Sequence, residues 1–163
     1  MKTCVYPGSF DPFTIGHLNI VSRAADIFDR VVILISPNST KGTRFIPAET
    51  MKKAIEETIE SYGSKCTVDI LKSGTVLDYI EEHDLDYNIV RGIRDANDAV
   101  EEMRLVDQYK WFTYHPIEFI PFVAAYAHRS VSSSLVREMV KYGQLDKLPV
   151  PKPVYDLIVS KDI

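Results

Sequence analysis

The sequence predicts an α/β protein: a five-stranded parallel sheet, doubly wound and Rossmann-like, with strand order 3-2-1-4-5, built from residues 1–163 as one domain. Three observations carry the prediction. Short apolar runs of strand length alternate five times with stretches of helical periodicity. The run Val31-Val32-Ile33-Leu34-Ile35 is apolar at every position, as a strand covered on both faces by helices requires. A chain of 163 residues can bury a core without metal or disulfide staples.

Taken in order, Lys2-Thr3-Cys4-Val5-Tyr6 is the first strand, and Leu18, Val21, Ala25 and Phe28 recur at helical spacing after it. Val31–Ile35 is the second strand. Ser36–Phe45 is loop, and Pro47 stands where a helix can begin. That helix runs to Tyr62, with Met51, Ala54, Ile55, Thr58 and Ile59 on one stripe and Gly63 as its stop. Cys66–Leu71 is the third strand, Ser73-Gly74 a turn, and Val76, Leu77, Tyr79 and Ile80 open a short helix ending near His83. Tyr87–Val90 is the fourth strand. A long helix spans Ala96–Phe112 with Val100, Met103, Val106 and Tyr109 facing inward, and His115-Pro116 ends it. Ile117–Phe122 is the fifth strand, an edge strand because Pro121 cannot donate to a ladder on both sides. The serines at 132–134 cap a helix running to Tyr142, and Val154–Ser160 closes the chain.

Bulk properties narrow the function. A formal charge of −4 provides no overall basic field for nucleic acid or anionic membrane. No apolar run approaches 18 residues, and only a five-residue strand-like run precedes the first turn, so neither a membrane span nor a signal peptide is expected. Cys4 and Cys66 both lie in strand-like runs, far apart, and read as small buried hydrophobes of a reducing compartment; the expected location is cytoplasmic.

The chemistry gathers in the loops. In the predicted order the chain reverses direction between strands 1 and 4, and ligands bind at the carboxyl ends of strands beside such a switch. The loop after strand 1, Tyr6-Pro7-Gly8-Ser9-Phe10-Asp11-Pro12-Phe13-Thr14-Ile15-Gly16-His17, opens a helix whose free N–H groups attract anions. Lys41 follows strand 2. Arg91-Gly92-Ile93-Arg94 follows strand 4, with forked donors suited to phosphate oxygens and a glycine that admits close approach. His128, Arg129, Ser130, Val131 and Ser132-Ser133-Ser134 follow strand 5. Together they describe a site for several phosphates. Plainer readings exist: the arginines could pair with Asp95, Asp98 or Glu102, one serine could cap while two are solvated, and His83 and His115 read as surface residues. Neither a Ser/His/Asp order nor a Cys/His pair stands out for covalent catalysis, and no metal ligand set is expected.

The first of these segments, with Arg91-Gly92-Ile93-Arg94 and Val131-Ser132-Ser133-Ser134-Leu135-Val136-Arg137-Glu138, resembles the bacterial phosphopantetheine adenylyltransferases of the nucleotidyltransferase superfamily, and the likeness runs through nearly the whole chain. The resemblance implies transfer of AMP from ATP to 4′-phosphopantetheine, giving dephospho-coenzyme A and pyrophosphate, the penultimate step of coenzyme A synthesis. It also implies Mg²⁺, a homohexamer and feedback by coenzyme A. By resemblance, Ser9, Lys41, Val76 and Arg91 bind the phosphopantetheine, and His17 contacts the α-phosphate and stabilises the transition state. Ser9, Phe10, His17, Gly92, Ile93, Arg94, Glu102 and residues His128 to Ser134 line the ATP site, with His17, Lys41 and Ser9 as the catalytic set. Two other readings stand beside it: a superfamily relative acting on nicotinate mononucleotide or glycerol phosphate, and a nucleotide-binding homologue without catalysis.

Overall fold

The computed structural model describes residues 1–37 and 42–160. Five strands, β1 (Thr3–Gly8), β2 (Arg30–Ile35), β3 (Cys66–Ile70), β4 (Asn88–Ile93) and β5 (Glu118–Val123), form one sheet in the order β3-β2-β1-β4-β5. Every pairing is parallel. The helices are α1 (Ile15–Ile27), α2 (Ala48–Thr58), α3 (Val76–Glu82), α4 (Ala96–Tyr109), α5 (Ser133–Lys141) and α6 (Lys152–Ser160).

Alternation along the strands sorts the core into two layers. On one face Cys4, Tyr6, Val31, Ile33, Ile35, Cys66 and Val68 pack with Ile20 and Val21 of α1, Met51 and Ile55 of α2, Val136 of α5 and Val154 of α6. On the other, Val5, Val32, Leu34 and Ile89 meet Leu77, Tyr79 and Ile80 of α3, with Tyr109 of α4 packed alongside. Helices therefore cover both faces, and the order expected from the sequence is the one observed. β5 lies at the edge with Pro121 in it.

The center of the sheet is where the molecule opens. β1 keeps a six-residue register with β2, from Thr3↔Arg30 to Gly8↔Ile35, but its register with β4 is limited to Val5↔Ile89. Towards its carboxyl end, then, the Pro7 carbonyl is available to a side chain.

Three expectations need correction. β4 continues through Arg91, Gly92 and Ile93, so these residues are strand rather than loop. α2 stops at Thr58, and a 3₁₀ segment over Glu60–Lys65, in which Gly63 takes φ +56°, replaces its last predicted turn. α4 turns only part of its apolar stripe inward: Val106 is half-buried and Tyr109 packs on the second layer, but Val100 and Met103 are 48% and 69% exposed, and no residue of the helix is fully buried.

Candidate active site

The first turn is shaped by packing. A Cβ on Gly8 would stand 2.8 Å from the Phe10 ring, so only glycine lets that ring lie against the backbone. Phe10 itself adopts φ 45°, left-handed for a residue with a side chain. Its buried ring meets Tyr6 edge-on at 5.2 Å and His17 edge-on at 5.0 Å, while Phe13 lies 5.5 Å from His17. The imidazole thus sits in an aromatic box.

Thr14 is the N-cap of α1 and His17 the third residue within it. The Thr14 hydroxyl accepts from the His17 N–H at 3.3 Å, and the Thr14 N–H donates to His17 Nδ1 at 3.0 Å. This is a capping box with an imidazole doing what Glu or Gln usually does. A backbone N–H can only donate, so Nδ1 is the acceptor and the ring proton resides on Nε2. Burial, reinforced by the charges of Arg94 and Arg91, pushes His17 down to about 4, so the ring is neutral at physiological pH.

A cleft of about 570 Å³ opens above this box. From the first turn it is lined by Ser9, Phe10 and His17; from β4 by Arg91, Gly92 and Ile93, followed by Arg94. From α4 come Asp98 and Glu102, and from the far side His128, Val131 and Ser132 to Ser134.

Both arginines already have carboxylate partners. Arg91 donates from Nε and Nη2 to the two oxygens of Glu102 at 2.8 and 2.7 Å, and from Nη1 to the Pro7 carbonyl at 2.8 Å. Arg94 pairs side-on with Asp98 at 2.9 and 3.1 Å, which holds the Asp98 carboxyl below the usual carboxylate range. The plainer reading of these arginines is thus realised, yet inside the cleft rather than on the surface. The serines are also accounted for. Ser132 caps α5 by accepting from the Leu135 N–H at 3.1 Å, Ser133 donates to the Pro12 carbonyl at 2.8 Å, and Ser134 accepts from Arg137 at 3.1 Å. Arg137 also donates to the Asp11 carbonyl, so α5 is laced to the first turn.

Other expected residues fall elsewhere. Lys41 lies outside the described residues. The segment after it is nonetheless pinned to the first turn: Phe45 and Ile46 donate their N–H groups to the Asp11 carboxylate, both at 2.8 Å, and Arg44 donates to the Ser9 carbonyl. Val76 does not line the cleft; it is buried in the second core layer because α3 docks through it. Arg129 and Ser130 do not line it either; both are exposed, and the Arg129 guanidinium lies over the Tyr126 ring.

Sequence reasoning missed Tyr6, Asn19 and Asp98, which all line the cleft. Asn19 is three residues beyond Gly16 on one face of α1, a spacing that the apolar stripe through Leu18 and Val21 does not mark. Asn19 Oδ1 and His128 Nδ1 are buried without a hydrogen-bond partner among the described residues.

The fold and the sequence both have known counterparts. A solved structure of a bifunctional NMN adenylyltransferase/ADP ribose pyrophosphatase from Francisella tularensis superposes with a TM-score of 0.68 at 16% identity, over 98% of this chain and 49% of the other, which establishes the shared fold. The family model described as Cytidylyltransferase-like matches residues 5–139. Fold, cleft and match define the class: a nucleotidyltransferase of the cytidylyltransferase-like kind. Among curated proteins, the phosphopantetheine adenylyltransferase of Natranaerobius thermophilus is 33% identical over 99% of this chain and 96% of its own length. That of Coprothermobacter proteolyticus is 38% identical over 88% and 86%. The chain belongs to the phosphopantetheine adenylyltransferase family.

Proposed function

We propose that the protein transfers AMP from ATP to 4′-phosphopantetheine, giving dephospho-coenzyme A and pyrophosphate, the penultimate step of coenzyme A synthesis. The relatives' shared name supports the reaction, and it weighs against a nicotinate mononucleotide or glycerol phosphate substrate and against a non-catalytic binding module. The observation that carries the proposal at atomic level is His17: a neutral imidazole, its Nδ1 held by the Thr14 N–H, with the Nε2 proton left to donate.

In this reading an oxygen of the phosphopantetheine phosphate attacks the α-phosphorus of ATP in line. The bond from that phosphorus to the bridging oxygen breaks, and pyrophosphate leaves with the electron pair. The attacking phosphate is already an anion, so no general base and no covalent enzyme intermediate are needed. The protein holds two anions together and stabilises charge on the transferring group. His17 Nε2–H and Lys41 serve the transferring phosphate, Ser9 and Arg91 the acceptor phosphate, and Arg94 with the serines at the start of α5 the departing phosphates. Phe10, Gly92, Ile93, His128 and Val131 form the remaining nucleotide contacts.

Mg²⁺ belongs to the proposal through the substrate. Among the described residues no group of three or more His, Cys, Asp or Glu side chains could hold a metal, and Asp98 and Glu102 are engaged by arginines. The residues do not form a metal cage, so the ion would enter on the phosphates of ATP with its waters, and none of the steps above is routed through it.

A homohexamer, feedback by coenzyme A and a cytoplasmic location complete the reading. The uncovered apolar surface of Val100, Met103, Trp111 and Phe112 supports self-association. Among the described residues no helix is long and apolar enough to cross a membrane, and the buried Cys4 and Cys66 are free thiols. Incubation with ATP, Mg²⁺ and 4′-phosphopantetheine should yield dephospho-coenzyme A and pyrophosphate, whereas nicotinate mononucleotide with ATP, or glycerol phosphate with CTP, should not. Pyrophosphate release with either of the latter, and not with the former, would reject the assignment.

A further inference from the structure

We propose that Glu102 is a positioning residue that acts through Arg91, presetting the guanidinium for the acceptor phosphate. The inference rests on the reading that Arg91 binds the acceptor.

Three of the five N–H groups of Arg91 are committed. Two go to Glu102 and one to the Pro7 carbonyl, which the parting of β1 from β4 leaves open to a side chain. One N–H on each terminal nitrogen is left over among the described residues, and Arg91 lines the cleft. A guanidinium is planar, so three bonds at 2.7–2.8 Å fix its plane as well as its place. The remaining donors are thereby oriented before any ligand arrives, and the rotamer freedom that a free arginine would lose on binding has been lost already.

The same geometry ties Glu102 to Arg91. Both its oxygens are used by Arg91, and its side chain is only 16% exposed. An anion facing phosphates would repel them unless its charge is matched, and Arg91 matches it. Glu102 sits on α4, a helix with no fully buried residue, so the ion pair with Arg91 joins the packing of Tyr109 in attaching that helix to the sheet. Asp98, one turn earlier, makes the corresponding bond to Arg94.

The test is steady-state kinetics on the full chain with each substrate varied in turn, for Glu102→Gln, Glu102→Asp, Arg91→Ala and the double variant Arg91→Ala/Glu102→Gln. Thermal unfolding is followed alongside, and Glu102→Asp is read if Glu102→Gln does not fold. Gln keeps the size but sets an amide N–H₂ against an arginine N–H, so the KM for 4′-phosphopantetheine should rise about tenfold or more. The KM for ATP should stay within about twofold, and the double variant should be no worse for the acceptor than Arg91→Ala alone. A raised ATP KM with the acceptor KM unchanged would place Glu102 on the nucleotide and overturn the proposal. Additive losses would make Glu102 independent of Arg91, and a lower acceptor KM would make it a competitor for the guanidinium; either also overturns it. If Arg91→Ala itself leaves the acceptor KM unchanged, the role of Arg91 falls and the proposal with it. If Arg91→Ala raises that KM and neither Glu102 variant does, the positioning role alone is rejected.

Discussion

Helices α1 and α4 are nearly the same length, 13 and 14 residues, and both deliver side chains to one cleft, yet they are held by opposite means. α1 buries Ile20, Val21, Ala24 and Ala25 against the sheet, and its first turn is closed by the reciprocal bonds of Thr14 and His17. α4 fully buries no residue; apart from Tyr109, which packs on the sheet, its inner face presents Asp98 and Glu102 to two arginines, while Val100 and Met103 look outward. The difference teaches that the cleft has a wall fixed by packing, where the imidazole must not move, and a wall fixed by charge. Hydrophobic burial is not weakened by ionic screening, and phosphate salts if anything strengthen it. Ion pairs are sensitive to both.

The comparison can be broken most forcefully at His17. His17→Ala should lower kcat by roughly 10²–10³, as loss of one preorganised donor does, with little change in either KM. A kcat preserved within a few-fold would leave the packed wall without its chemical purpose. Next in size is a pH effect. His17 takes up a proton near 6.5 when unfolded and near 4 when folded, so the unfolded chain binds more protons between those values. The stability tied to the neutral ring is complete above pH 6.5 and should fall by up to about 3 kcal/mol as the pH drops towards 4. Denaturant unfolding at several pH values should show this component in the parent and not in His17→Asn.

Smaller effects test the helices directly. Val21→Ala in α1 should cost about 2 kcal/mol, the transfer of two methyl groups plus the cavity they leave. Arg104→Ala on α4 removes a solvent-exposed pair with Glu101, the two side chains being 68% and 67% exposed, and should change stability by less than about 0.5 kcal/mol. Equal losses at the two sites would mean that α4 is anchored by more than its two carboxylates. Added salt should loosen α4 before α1, which amide hydrogen exchange along the two helices would reveal.

Much of this was legible beforehand. Periodicity located five strands and five of the helices near their observed bounds, and Pro121 marked the edge strand, because burial on a sheet imposes a two-residue repeat and on a helix a 3.6-residue one. The cleft residues His17, Arg91, Arg94 and the serines were legible because turns and strand ends carry polar residues that a core cannot use. α4 misled in part because Val100 and Met103 share the helical spacing of Tyr109 but face away from the sheet on which Tyr109 packs. Spacing reports that one face of a helix is apolar; it does not report what that face meets. Val76 misled for a related reason, since its place after β3 is at the correct edge of the sheet but its side chain turns into the core.

Strand order, the polar loops and the capping position of Thr14 were thus determined by the sequence alone, since each follows from local geometry or from the alternation of elements. Only the tertiary structure decided that the His17 proton resides on Nε2, that each cleft arginine is held by a carboxylate four or eleven residues on, and that the Pro7 carbonyl receives Arg91. Those are matters of direction and distance between groups on different elements, and they exist only once the sheet has brought β1, β4 and α4 together.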